Sequence, residues 1–258
     1  MKLGTLNVNG LRSALKKGLL EWVREEDFDI LCLQEVRMSP SDFLEVVPEG
    51  YFYVHSAAVK PGYSGVAIWS KVKPISTQIN FDFPLSDTEG RIAKAEFRDC
   101  LVYSMYFPSG TSGDARQEEK YRFLDFIEAN APIFLAQHKN VVICGDINIA
   151  HTELDIFHHK TNANTSGFLP RERKWLTRFL ESGWVDVFRS SHPGEEVYSW
   201  WTTRSATARP NNIGWRIDYQ LASQNLVDKV QKSWIVDRNL RLSDHTAVVA
   251  EYDISFGY

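Results

Sequence analysis

The chain has 258 residues, 43% of them hydrophobic and 13% aromatic, and a formal net charge of −4 at pH 7. That length suits one large α/β domain or two small ones, and the apolar share can fill a sizeable core. A weakly acidic whole does not announce a nucleic-acid binder. No run reaches the ~18 apolar residues of a membrane span, and no charged-then-apolar leader opens the sequence.

In chain order, residues 2–8 form an extended stretch. Leu11, Leu15, Leu19 and Trp22 with Val23 then mark one face of a helix. Residues 28–33 are continuously apolar, the pattern of a strand buried on both faces. Residues 66–69, 92–97 and 101–107 are further strands, the last two joined by a tight turn at Asp99 and Cys100. Residues 116–137 are the longest helical candidate, which Pro132 should kink or divide. A short apolar strand follows at 141–144, then a helix at 170–181 opened by Pro170. Strands at 198–201, 217–221, 230–236 and 246–252 complete the chain. No Gly/Ser/Pro linker divides it. The expected architecture is one α/β domain over residues 1–258, a four-layer sandwich of two packed mixed sheets flanked by helices.

Charge and cysteine are unevenly placed. Residues 160–216 hold nine Lys/Arg against five Asp/Glu, and residues 201–216 hold three Arg and no acid. A basic stretch in an acidic protein can still make a phosphate footprint. Cys32, Cys100 and Cys144 lie in or beside apolar runs. An odd number of buried thiols reads as reduced and cytosolic, so the expected location is the cytoplasm, at the nucleoid if the source is prokaryotic.

Five polar clusters fall at or near strand ends: Asn7-Val8-Asn9-Gly10, Leu33-Gln34-Glu35, Gly145-Asp146-Ile147-Asn148, Trp215-Arg216-Ile217-Asp218 and Ser243-Asp244-His245. They offer oxygen and imidazole groups and no thiolate, a set for a hard divalent cation and a phosphate ester. Singly, each is ambiguous. Glu35 is equally a strand-end carboxylate in solvent, and Gly145 to Asn148 an Asx turn. Tyr106 is equally a core ring, and Asn162 and Asn164 plain loop residues. Alternation puts Asp146 and Asn148 on one face, and Gly145 leaves room for a ligand. Asp218 is a candidate to orient His245. Of Trp200 and Trp201, one is expected in the core and one as a stacking surface. His158 and His159 are taken as solvent-facing.

Together with Gly62-Tyr63-Ser64-Gly65, Glu89-Gly90-Arg91, Tyr106-Phe107-Pro108, Ser166-Gly167-Phe168-Leu169-Pro170 and Gly214-Trp215-Arg216-Ile217-Asp218, these clusters span the chain. The sequence resembles the exonuclease III-like apurinic/apyrimidinic endonucleases of the metal-dependent endonuclease/exonuclease/phosphatase superfamily. The resemblance implies a monomeric enzyme that cuts double-stranded DNA 5′ of an abasic site and trims blocked 3′ ends, with Mg²⁺ or Mn²⁺; the alternatives are a member that mainly cleans 3′ ends as a phosphatase or exonuclease and, more remotely, a phosphatase of small phosphate esters. It implies Glu35 and Asn7 as metal ligands, with Asp146, Asn148, Asp244 and His245 at the same centre. Asp146 would orient or deprotonate the attacking water, and Asn148 would hold it. His245, oriented by Asp218, would touch a phosphate oxygen, and Tyr106 would bond the phosphate or protonate the leaving oxygen. DNA contacts are implied for Asn9, Arg37, Tyr63, Ser109, Asn162, Asn164, Trp200, Arg204 and Trp215. Trp200 and Trp215 would wall the pocket for a baseless sugar, and Arg204 would enter the duplex. Asn9, Ser109 and Arg37 replace the family's frequent Asp, Asn and Lys. The first weakens a second metal subsite, and the last suits a bidentate pair with a carboxylate.

Overall fold

A computed structural model describes residues 1–255. One sheet contains β1 (Lys2–Asn7), β2 (Ile30–Gln34), β3 (Phe52–Ser56), β4 (Val66–Ser70), β11 (Val230–Ile235) and β12 (Val248–Tyr252), in the order β11-β12-β1-β2-β4-β3. The other contains β5 (Ser76–Gln78), β6 (Ile92–Glu96), β7 (Leu101–Tyr106), β8 (Val141–Asp146), β9 (Trp184–Asp186) and β10 (Asp218–Ser223), in the order β5-β6-β7-β8-β10-β9. Each sheet has one parallel pair, β1 with β2 and β7 with β8, and is otherwise antiparallel. The helices are α1 (Leu11–Lys16), α2 (Leu19–Glu26), α3 (Pro40–Leu44), α4 (Pro84–Glu89), α5 (Asp114–Gln137), α6 (Pro170–Glu181), α7 (Val187–Ser191) and α8 (Gln224–Val227).

Alternation along the strands creates three apolar layers from two sheets. Ile30 and Cys32 of β2 meet Val142 and Cys144 of β8 between the sheets. Leu31 and Leu33 face the other way, onto Leu11, Leu19 and Val23 of α1 and α2. Val141 and Ile143 face Phe123, Ile127, Leu176 and Phe179 of α5 and α6. The result is the expected four layers, helix, sheet, sheet, helix. It also explains why β2 and β8 read as unbroken apolar runs: both of their faces are buried.

Several local expectations are corrected. The first helix is two, because Gly18 takes a left-handed turn at φ 94° and caps a new start. Pro132 does not divide α5; it lies on the exposed face, where water can take the carbonyl its ring leaves free. Residues 198–201 are not a strand. Trp200 makes isolated bridges to Trp215 and His245 instead, so this segment stitches two loops together. The turn at Asp99 and Cys100 is present, with the Phe97 N–H bonded to the Cys100 carbonyl at 2.8 Å. Strands β3, β5 and β9 carry too little apolar alternation to have been read from sequence. The three cysteines are free and buried. Among the described residues, no helix is long and apolar enough to cross a membrane.

Candidate active site

The strand registers bring the polar clusters to one rim. Asn7 ends β1 beside Gln34 of parallel β2, which places Glu35 next to it. Tyr106 ends β7 level with Asp146 at the end of β8. Asp218 opens β10 directly opposite Asp146. Face-to-face packing of the sheets then closes the gap between the two sets.

Asn7 joins them. It is fully buried, and its Nδ2 donates to Glu35 Oε1 at 3.1 Å and to Asp146 Oδ2 at 3.0 Å. Its Oδ1 accepts the Asn9 N–H at 2.9 Å. Glu35 Oε1 also accepts the Tyr106 hydroxyl at 2.6 Å, and Oε2 pairs with Arg37. Asp146 Oδ1 accepts the Asn148 N–H at 2.8 Å. On the far side, His245 Nδ1 lies 2.9 Å from Asp218 Oδ2, which also accepts the Ser199 hydroxyl at 2.6 Å. His245 Nε2 is 3.9 Å from Asp146, too far for a hydrogen bond. Asp244 accepts from Asn9 Nδ2 at 2.8 Å and Trp200 Nε1 at 3.1 Å.

Burial sets the protonation states. Burial alone would drive His245 toward the neutral form, but Asp218, Asp146 and Asp244 together outweigh it, and its pKa rises to about 10. At neutral pH it is therefore an imidazolium, a donor for an anion rather than a lone-pair ligand for a metal. Burial and the charge of Asp218 push Asp146 up to about 7, only partly offset by His245 and Asn7. Burial and the Glu35 charge hold the Tyr106 phenol well above its usual value, so it stays protonated. Asp146, Asp218 and His245 have ligating atoms within 4.8 Å of one another. Asp218 and His245 are engaged with each other, and Glu35 and Asp146, which share the Asn7 Nδ2–H donor, are the carboxylates beside them whose oxygens suit a hard cation. A cation there also relieves the repulsion between neighbouring carboxylates.

Glu35, Tyr106, Asp146, Asp244 and His245 line an open cavity of about 510 Å³. Trp200 and Trp215 are half-buried and meet edge to face at 6.1 Å. Exposed Arg204 stands on the rim, and Asn9, Arg37, Ser109 and Asn148 also border the space. Trp201 is core, 2% exposed, so the two adjacent tryptophans divide as expected. Arg37 makes one contact with Glu35 rather than a bidentate pair. As an amide, Asn9 bonds to Asp244 where an acid would repel it. Tyr63 lies outside this cavity, in a neighbouring groove with Arg12 and Lys60, and accepts from Arg116 at 2.9 Å. Asn162 is engaged in its own turn through the His158 carbonyl, and neither it nor Asn164 reaches the cavity.

Two local readings change. A Cβ on Gly145 would lie 1.9 Å from the Met105 carbonyl oxygen, so the glycine admits strand β7, not a ligand. Asn148 reaches the cavity by a left-handed residue at φ 55° after β8 has ended, not by strand alternation. Ser199 and Arg91 were missed. Ser199 braces Asp218. Arg91 lies 4.7 Å from the Tyr106 ring centre and bonds its carbonyl at 2.8 Å. Arg91 falls in the conspicuous Glu-Gly-Arg block, whereas nothing in the sequence around Ser199 marks it.

A charged imidazole donor, a buried carboxylate and a cation-type oxygen set around one cavity define a phosphoesterase-type site. The chain belongs to the endonuclease/exonuclease/phosphatase family, whose sequence profile matches residues 4–245. It is 40% identical to an exodeoxyribonuclease of Bacillus subtilis over 254 residues, covering 96% of this chain and 98% of that one. It is 34% identical to a DNA-(apurinic or apyrimidinic site) endonuclease of Dictyostelium discoideum, covering 99% and 71%. Among solved structures it is similar to an AP endonuclease from Archaeoglobus fulgidus, with TM-score 0.88, 30% identity and coverage of 98% and 100%. It is also similar to a 3′ phosphatase from Neisseria bound to product DNA hairpin, with TM-score 0.88, 26% identity and the same coverage.

Proposed function

We propose that this chain is a divalent-metal-dependent DNA repair hydrolase. It incises the backbone 5′ of an abasic site, leaving a 3′-hydroxyl and a 5′-deoxyribose phosphate, and also trims blocked 3′ ends. The observation that carries this reading is the His245 imidazole, bonded to Asp218 at 2.9 Å and 3.9 Å from the Asp146 carboxylate, in a cavity walled by two tryptophans. Aromatic walls admit a sugar without its base and crowd out an intact nucleotide.

His245 Nε2–H donates to a non-bridging phosphate oxygen and meets the charge that grows there. Asp146 aims the attacking water and takes its proton. Asn148 Nδ2 is engaged by the Phe107 carbonyl at 2.9 Å, which leaves its Oδ1 as an acceptor for that water. Tyr106, held protonated, donates to the phosphate or to the leaving oxygen. Mg²⁺, or Mn²⁺ in its place, would be held by Glu35 and Asp146 and would supply Lewis-acid stabilisation of the charge growing on the phosphate oxygens. The unit that acts is the whole chain as one domain, since the site draws on residues from Asn7 to His245. It works as a monomer in the cytoplasm, where DNA and a divalent cation are both at hand. The likeness to a 3′ phosphatase favours one second reading, an enzyme mainly of 3′-end cleaning.

The test is a cleavage assay on two labelled duplexes, one with a central abasic analogue and one with a nick ending in 3′-phosphate. Incision that needs Mg²⁺ and stops in EDTA is expected on the first. Rapid phosphate release from the second with little incision would establish the end-cleaning reading instead.

A further inference from the structure

A fully buried ion pair lies behind the cavity and takes no part in the chemistry above. Lys120 of α5 and Glu172 of α6 are both sealed from solvent, with Nζ 2.6 Å from Oε1. Such a pair stabilises poorly, because desolvating two charges offsets their attraction. Apolar side chains of the same size would hold α5 against α6 at least as well. They could not, however, bond to the backbone. Lys120 Nζ donates to the Asn148 carbonyl at 2.8 Å. Glu172 Oε2 accepts the N–H groups of Gly167 and Leu169 at 2.7 and 3.0 Å.

The two loops gripped in this way are also bonded to each other, the Ala150 N–H to the Gly167 carbonyl at 2.8 Å. Both border the cavity, through Asn148 and Gly167. Asn148 holds a left-handed backbone, φ 55°, a conformation that persists only when its surroundings fix it. Three bonds do so: its N–H to Asp146, its side-chain amide to Phe107, and its carbonyl from Lys120. Gly167 is packed under the pocket wall so closely that a Cβ would stand 2.9 Å from the Trp215 ring.

We propose that Lys120 is a positioning residue for Asn148, and that with Glu172 it locks the Asn148 and Gly167 loops into one rigid floor of the active site. The proposal rests on the hydrolase reading above and deepens it. Lys120 touches no substrate. It acts by fixing the angle at which Asn148 Oδ1 meets the attacking water, where a small misplacement is felt in the rate and not in affinity for the duplex.

The test uses the full chain with two variants. K120M/E172Q removes both charges and keeps an acceptor for the Gly167 and Leu169 amides, but deletes the donor to Asn148. K120Q/E172Q removes the same two charges but keeps an amide donor at position 120 for the Asn148 carbonyl. For K120M/E172Q, kcat on the abasic duplex should fall about 10- to 100-fold, with KM within about twofold. Amide hydrogen exchange over residues 147–150 should speed up about tenfold while the central strands stay protected. K120Q/E172Q should recover kcat about tenfold over K120M/E172Q. Parental kcat and exchange in K120M/E172Q would overturn the proposal. So would a K120Q/E172Q variant whose kcat falls as far as that of K120M/E172Q while its central strands stay protected. If the parent protein does not incise abasic DNA, the hydrolase reading falls, and exchange at residues 147–150 alone decides the positioning role.

Discussion

His245 and Asp146 are buried side by side and hold opposite roles because their neighbours differ. Three carboxylates hold the imidazole charged, while one of them, with burial, drives Asp146 upward. In the proposed reaction each group aims charge at the transition state, where one such preorganised group is worth about 10²–10³ in rate. H245A and D146N should therefore each lower kcat by at least that range, with far-UV circular dichroism unchanged. Near-parental turnover in either would remove it from the chemistry. Arg204 is exposed on the rim and has no ion-pair partner among the described residues. R204A should weaken binding to abasic duplex and flatten the log–log salt dependence by about 0.9 if the guanidinium meets one phosphate. An unchanged slope with weaker binding would instead point to insertion between bases. His55 gives a different readout. Burial lowers its pKa to about 4, and neither ring nitrogen has a partner. The unfolded chain then binds more protons than the folded one between pH 4 and 6.5. The stability His55 contributes is complete above pH 6.5 and is lost as pH falls through 4. H55F should flatten the urea midpoint across that window, and a midpoint that still slopes as in the parent would assign the dependence to other groups.

At the scale of elements, the catalytic rim depends on how closely β7 and β8 can run. Gly145 holds φ 150° with the Met105 carbonyl where a Cβ would be. G145A must push the parallel pair apart just before Asp146, at about 3 kcal/mol in stability or more. Urea unfolding measures this, and a loss below about 1 kcal/mol would mean that β7 yields easily. Much of this level was legible in the sequence. Continuous apolar runs marked β2 and β8 because both faces are buried, and Pro170 marked the start of α6. The short edge strands β3, β5 and β9 were not legible, since half of each faces solvent or a helix and the alternation is too brief to register. Residues 198–201 looked like a strand because they are extended and apolar. Their backbone hydrogen bonds go three to Trp215 and one each to Asp244 and Thr246, a pattern set by the loops that arrive beside them.

Across the whole molecule, two sheets meet so that Asn7 can bridge Glu35 of one to Asp146 of the other. One small amide thus registers the two halves of the site. N7A should lower kcat and also loosen the sheet-to-sheet contact, seen as a lower melting temperature. N7D would add a further acid beside Glu35 and Asp146 and should raise the dependence of melting temperature on Mg²⁺. If Mg²⁺ shifts neither the parent nor N7D, the oxygen donors are not a cation site.

The sequence by itself determined the residue types, the strand-end positions of the polar clusters and the family, because ligand chemistry and buried-strand patterns are local. It also divided Trp200 and Trp201 correctly between wall and core. Only the tertiary structure decided what each side chain does. Ser199 braces Asp218, Arg91 stacks on Tyr106, and Lys120 holds Asn148 through contacts 15 or more residues apart in the chain. The tertiary structure also sets Tyr63, Asn162 and Asn164, expected as DNA contacts, outside the cavity. Charge state is likewise a tertiary property: His245 becomes a cation only because three carboxylates from separate loops and strands converge on it where water is excluded.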